Sequence, residues 1–235
     1  MRKKLSLAFI GGGVNSAIGE THFIASKMDD LFTLTAGCFS RDRVVNNSTG
    51  EKWSIPSSNL YSNWQELINN QKSEIDALVV LTPTPDHLNP VLYAIESGIP
   101  VICEKALSST SREAKSIANA LDVNAGYLAV TYNYTGYPMI RELREMIRRG
   151  HLGRIEQIHI EMPQESFARL NRDGRPIVPQ QWRMQDGKIP TISLDLGVHL
   201  HHMIDFLTGE KPIAVVATQS SLGRFRQVVD NTMAL

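Results

Sequence analysis

The chain has 235 residues, 42% hydrophobic and 20% charged, which is enough apolar material for one large core or two modest ones. Lys and Arg total 24, as do Asp and Glu, so no whole-chain field favours nucleic acid or an acidic membrane surface, and neither is expected as a partner. Only Cys38 and Cys103 are present, both in apolar runs, and no run nears the roughly 20 apolar residues of a membrane span, so a soluble protein of the reducing cytoplasm is expected.

The opening MRKKLSLAFIGGG imitates a signal peptide, but its apolar run from Leu5 to Ile10 is too short and ends on glycine. It is expected to be a buried first strand. GGGVNSAIGETH follows. Glycines at 11, 12 and 13 let the backbone turn tightly and approach a phosphate. A helix from about Ala17 to Met28 then aims its N-terminal amides at the anion. The spacing departs from G-x-G-x-x-G: Ser16 stands at the third glycine position and Gly19 comes three residues later. An ordinary strand-to-helix turn is the alternative.

Further strands are expected at Leu31–Cys38, Ala77–Leu81, Pro100–Cys103 and Tyr127–Thr131. They lack polar alternation, as strands covered on both faces should. After the second strand, CFSRDR puts Ser40 and Arg41 at the tip, with Asp42 two residues past Ser40. A carboxylate at the tip would bind a ribose hydroxyl, whereas serine and arginine suit a 2′-phosphate, so NADP is favoured over NAD. DHLNPVLYAIESG aligns Leu88, Val91, Ala94 and Ile95, with Gly98 as the stop. TSREAKSIANAL opens with a capping box, Thr110 to Glu113, and stripes Ala114, Ile117, Ala118 and Leu121. Alternating strand and helix predicts a doubly wound parallel α/β sheet over residues 1–130.

The pattern changes at 131–235, where an α+β domain is expected. YPMIRELREMIRRGHLG places Met139, Ile140, Leu143, Met146 and Ile147 on one helix face and ends at Gly150. RIEQIHIEM alternates Ile155, Ile158 and Ile160 with polar residues, as a half-exposed strand would. Residues 163–192 are polar and irregular. LDLGVHLHHMIDFLTG predicts a helix on which Asp195 and His199, spaced i, i+4, share a face that His202 continues. Leu200, Met203, Ile204 and Leu207 form the opposite stripe. PIAVVATQ reads as a strand. DNTMAL reads as the opening of another, so a C-terminally truncated chain is expected.

LTPTPDH followed by PVICEKALSST resembles the Gfo/Idh/MocA oxidoreductases, which carry a threonine–proline turn, a histidine and a Glu-Lys motif. Those residues are Thr82, Pro83, His87, Glu104 and Lys105 here. The resemblance continues through TYNYTGYPMIRELREMIRRGHLGRI, QQWR and DLGVHLHHMIDFLTG, and GGGVNSAIGETH is similar to the loop of one branch of the family. It implies a Rossmann domain and then an α+β domain on a large, open, mostly antiparallel sheet, incomplete here. It also implies NAD or NADP as cofactor, a small-molecule sugar, glycoside or cyclitol as substrate, and a homo-oligomer when the chain is full length.

Hydride transfer from a secondary alcohol needs the carbinol hydrogen placed at the nicotinamide and a positioned group for the hydroxyl proton. By resemblance, His199 accepts that proton, Asp195 orients it or binds a hydroxyl, and Lys105 polarises the substrate oxygen; the residues leave open whether Lys105 or His199 takes the proton. Gly11, Gly12, Gly13, Ser16, Ile18, Ser40, Arg41, Thr82, Pro83, His87 and Glu104 are expected around the cofactor, with Asn133, Trp182 and Arg183. Tyr134 and His202 are expected at the substrate. Ala106 replaces the usual proline and His202 a frequent Asp, and KIPTIS replaces a glycine run. Zinc on Asp195, His199 and His202 is the competing reading; no metal is expected. For His201 and His159, a satisfied structural histidine is a fair alternative to any role at the site. A non-catalytic NAD(P)-binding sensor of the same fold is the alternative function.

Overall fold

The computed structural model describes residues 3–165 and 167–235; Met1 and Arg2 of the signal-like start, and Ser166 of the irregular stretch, lie outside the described residues. The chain divides into two compact units, Met1–Thr131 and Tyr132–Leu235.

Among the described residues, the apolar runs of the first unit form five strands. They are β1 (Leu5–Gly11), β2 (Phe32–Cys38), β3 (Ala77–Leu81), β4 (Val101–Glu104) and β5 (Leu128–Thr131). They lie in the order β2-β1-β3-β4-β5, and each neighbouring pair is parallel. Between them run α1 (Ala17–Met28), α2 (Arg43–Lys52), α3 (Trp64–Gln71), α4 (Leu88–Glu96) and α5 (Ser111–Asn124).

Alternate residues of each strand serve two cores. Ala8, Ile10, Leu78, Val80, Val101 and Cys103 meet Leu67 and Ile68 of α3, Val91, Ala94 and Ile95 of α4, and Ile117 of α5. Leu7, Phe9, Val79 and Leu81 meet Trp53 and Phe39, with Ile18 and Phe23 of α1 packed alongside. Each Val, Leu, Ile or Phe side chain buried this way contributes about 1.5–3 kcal/mol, which explains why the strands carry apolar residues at successive positions. The strand order reverses between β1 and β3, opening a crevice at the carboxyl ends of the strands. Beyond β2, a single parallel bridge, Gly37 to Leu60, stands where a further strand would lie.

The expected capping box forms one residue out of register on its return arm. Thr110 Oγ1 accepts from the Glu113 N–H at 3.2 Å, while the Glu113 carboxylate accepts from the Ser109 N–H. The α5 stripe is narrower than expected: Ile117 is buried but Ala118 faces solvent, because Ala120 takes the inward position against the core. Both cysteines are buried thiols. Burial pushes Cys38 up to about 11 and raises Cys103 too, so neither is a ready nucleophile.

The second unit contains α6 (Pro138–Arg148), a π-helical turn (Ser193–Gly197), α7 (Val198–Thr208) and the antiparallel pair β6 (Ala217–Ser220) and β7 (Asn231–Ala234). Helices α6 and α7 pack together, with the Arg144 guanidinium 4.3 Å over the Phe206 ring. Three expectations are corrected. Residues 154–162 carry no strand, because a strand needs a ladder partner and β6 and β7 pair with each other. The strand expected from Pro212 begins only at Ala217. Met139, expected on the packed face of α6, is 75% exposed; it sits in the first turn, beside Pro138.

Candidate active site

The carboxyl ends of β1 to β4 bring most of the expected first-unit residues together. β1 ends at Gly11, with φ +81°, and Gly12 follows at +74°, conformations that disfavour a side chain. A Cβ on Gly11 would lie 2.8 Å from the Leu81 carbonyl carbon. One turn into α1, a Cβ on Gly19 would lie 1.7 Å from the Gly12 oxygen. Gly19 therefore does the work of the fingerprint's third glycine, close packing of helix on strand, while Ser16 is the N-cap. The Ser16 N–H donates to the Gly13 oxygen at 2.7 Å, and its side chain makes no capping bond. A backbone stripped of Cβ atoms thus leads into the amide end of a 12-residue helix. That cradle fits a dinucleotide pyrophosphate, and the chemistry such a cofactor supplies is hydride transfer at its nicotinamide. Ile18 is half-buried and packs into the core with Phe23.

At the end of β2, Asp42 is committed elsewhere: its carboxylate accepts from the N–H groups of Val44 and Val45 and caps α2. The tip therefore presents Ser40 and Arg41. Ser40 Oγ accepts from the Asp42 N–H at 3.1 Å, and the exposed Arg41 donates to Asp86 at 2.8 Å. Both line a groove of about 720 Å³ beside α2. Thr82 and the exposed Pro83 follow β3. His87 lies behind them with no exposed surface. Its Nε2 is 2.6 Å from the Thr82 oxygen and its Nδ1 2.8 Å from the Ala106 oxygen. The structure thus corrects its expected contact with cofactor: His87 is a strut beneath the site. Burial lowers its pKa, outweighing the pull of the two carbonyls and Glu104. Ala106, which stands in for proline, is buried, and His87 pins its carbonyl.

Glu104 ends β4, directly before Lys105. His22 lies 2.8 Å from Glu104 Oε1, and Thr131 Oγ1 donates to the same oxygen at 2.6 Å. Burial pushes the Glu104 carboxyl up, but these two hydrogen bonds and the charges of His22 and Lys105 hold it below the ordinary carboxylate range.

In the second unit, the structure places Asp195 on a π-helical turn rather than an α-helix, so its i, i+4 spacing to His199 spans the junction with α7. Such turns recur at functional sites. Arg183 donates to Asp195 at 3.0 Å. His199 is buried and its ring lies 4.7 Å from that of Tyr134, edge to face. Tyr134, His199, Leu200 and Met203 line a cavity of about 180 Å³. His202 stacks on Tyr132 at 4.0 Å and meets Thr135 Oγ1 at 3.3 Å; burial lowers its pKa against the pull of Asp205. Trp182 donates to Gln180 and its ring lies 5.0 Å from the Arg183 guanidinium, while Asn133 is exposed. His201 is exposed, as is His159, which pairs with Glu161; neither is a buried structural histidine. Among the described residues, no group of three or more His, Cys, Asp or Glu side chains is placed to hold a metal ion.

Residues 5–132 match the model of the oxidoreductase family with NAD-binding Rossmann fold, and residues 140–235 match the GFO/IDH/MocA C-terminal domain. The chain belongs to the Gfo/Idh/MocA family. Within it, the chain is 28% identical over 99% of its length to an uncharacterized oxidoreductase, YfiI, of Bacillus subtilis. It is 26% identical over 88% of its length to the levoglucosan dehydrogenase of Pseudarthrobacter phenanthrenivorans. It spans 61% and 52% of those two proteins. The crystal structure of an inositol dehydrogenase homolog from Azotobacter vinelandii, complexed with NADH and myo-inositol, superimposes with a TM-score of 0.88. That match has 26% identity and covers 100% of this chain and 61% of that one.

Sequence reasoning missed three features of the site. Gly19 was visible as an oddly spaced glycine, but its contact with Gly12 was not. The partnership of His22 with Glu104 had no signal, since 82 residues separate them. The pairing of Arg183 with Asp195 crosses the irregular segment and has no periodicity to betray it.

Proposed function

We propose that the protein to which this chain belongs is an NAD(P)-dependent dehydrogenase that moves a hydride between the nicotinamide and a secondary alcohol or ketone of a sugar, glycoside or cyclitol. The observation that carries the reading is the Cβ-free cradle of Gly11, Gly12 and Gly19 at the same sheet edge as Lys105. Levoglucosan and inositol dehydrogenases among its relatives support the substrate class.

Lys105 donates a hydrogen bond to the substrate oxygen and stabilises the charge that develops there. His199 takes up or returns the hydroxyl proton. Asp195, held by Arg183, orients the imidazole or accepts from a neighbouring substrate hydroxyl. Tyr134 and His202 contribute substrate contacts. Gly13, Ser16 and the first amides of α1 bind the pyrophosphate; Thr82 and Pro83, with Asn133 and Trp182, contribute to the nucleotide site. Ser40 and Arg41, with no carboxylate at the tip, favour the 2′-phosphate of NADP over NAD; Arg41 exchanges Asp86 for the phosphate.

Wild type and Lys105→Ala, prepared as the full-length protein, are to be assayed against a sugar and cyclitol panel with both coenzymes, following absorbance of the reduced form. Loss of one general polarising group predicts a fall of about 10²–10⁴ in kcat, with turnover faster with NADP. Equal turnover by the two proteins would remove Lys105 from the mechanism. Coenzyme binding with no turnover of any polyol would favour a sensor.

A further inference from the structure

The histidine that closes the glycine-loop motif has no place in the chemistry above, yet it is not a surface residue. The His22 and Glu104 side chains are 16% and 13% exposed. Phe9 meets the His22 ring edge to face at 6.4 Å, which fixes the plane of the imidazole. Glu104 Oε1 takes two donors at once, His22 and Thr131, and Thr131 is the β5 residue directly paired with Glu104. The chain of contacts therefore runs from α1, whose first turn faces the glycine loop, to the last residue of β4. The next residue is Lys105. On its far side, the Ala106 carbonyl is held by His87.

A hydrogen-bonded polar pair with little exposure is an uneconomical way to attach a helix to a sheet, since apolar side chains of similar volume do so at a smaller desolvation cost. What it supplies is direction. Two short bonds to one carboxylate oxygen fix the rotation of Glu104, and with it the course of the backbone into Lys105. A reacting group displaced by about 1 Å loses on the order of 10²-fold in rate.

We infer that Glu104 and His22 are positioning residues: they form a strut that sets the Lys105 turn against the helix of the cofactor loop. The inference rests on the dehydrogenase reading for its kinetic consequence, but not for the geometry itself. Removing either side chain frees the turn and leaves the lysine ammonium present but misdirected.

The test uses the full-length protein and the variants Glu104→Ala, His22→Ala and His22→Gln, the last keeping a donor of similar reach. The first readout is the rate at which trinitrobenzenesulfonate modifies Lys105, followed by peptide mass spectrometry and normalised to the exposed Lys115. The expected result is at least a three-fold change in that ratio for both alanine variants, with His22→Gln close to wild type. The second readout is kinetic: kcat falls at least ten-fold while KM for the alcohol stays within two-fold, and His22→Gln recovers most of the loss. An unchanged labelling ratio in variants whose melting temperature drops would overturn the inference and leave the pair a purely structural tie. If wild type turns over no polyol, the dehydrogenase reading fails, and the labelling ratio alone decides the strut.

Discussion

Gly19 is the residue on which the glycine loop turns, and it tolerates no side chain. A methyl group would sit 1.7 Å from the Gly12 oxygen, so α1 would have to move off the sheet. Gly19→Ala is expected to cost about 3 kcal/mol, the upper part of the usual range for overpacking. NADPH affinity should weaken at least about ten-fold, the equivalent of 1.4 kcal/mol; urea unfolding and a fluorescence titration measure the two. His87 carries a different prediction. The folded protein holds its pKa below the ordinary value of 6.5, so the unfolded chain takes up the proton first. Stability is then flat in pH above that value and falls as pH drops through it, until the buried ring protonates too. Thermal unfolding between pH 8 and pH 5 should show a smaller decline in His87→Asn than in wild type. The decline should not vanish, because His202 is shifted in the same direction. The glycines, the histidine and Lys105 were all legible in the sequence as residue types. Whether each one touches a ligand or supports one that does was not, because that depends on which residue lies opposite it after folding.

The parallel strands were legible to within a residue or two, since burial on both faces writes a continuous apolar run. Helix α2 shows how an element serves the site without touching it. Asp42 caps it, its Thr49 Oγ1 accepts from the Val14 N–H at 3.0 Å, and a Cβ on Gly13 would lie 3.0 Å from Val45 Cγ1. The helix is therefore the outer wall of the glycine loop. Asp42→Ala is expected to cost about 1 kcal/mol by circular-dichroism melting, and Asp42→Asn to restore most of it. NADPH binding should weaken a few-fold in the alanine variant alone. Residues 154–162 mark the opposite case: Ile155, Ile158 and Ile160 write the alternation of a strand, but a ladder takes two partners and the pattern of one names no other. The π-helical turn at Asp195 was equally invisible, because a spacing of four fits an α-helix as well.

At the scale of the molecule, among the described residues, the buried apolar ones fall almost wholly in the first unit; beyond Ile117, Val228 alone of the described residues is a buried hydrophobic core residue. Residues 1–131 expressed alone should therefore unfold cooperatively. They should bind NADPH within about ten-fold of the whole chain, or 1.4 kcal/mol, and catalyse nothing. A non-cooperative melt would show that the second unit is needed to complete the core. The single bridge at Leu60 has a consequence for the same unit. An outermost strand offers its main chain as a template to any other chain that meets it, the first step toward fibrils. Here asparagines and one amide stand in for the missing neighbour. Asn59 Nδ2 donates to the Thr35 oxygen, the Tyr61 N–H donates to the Gly37 oxygen, and Asn46 Oδ1 accepts from the Phe39 N–H. With those groups already occupied, the β2 edge has little main chain left to offer a stranger.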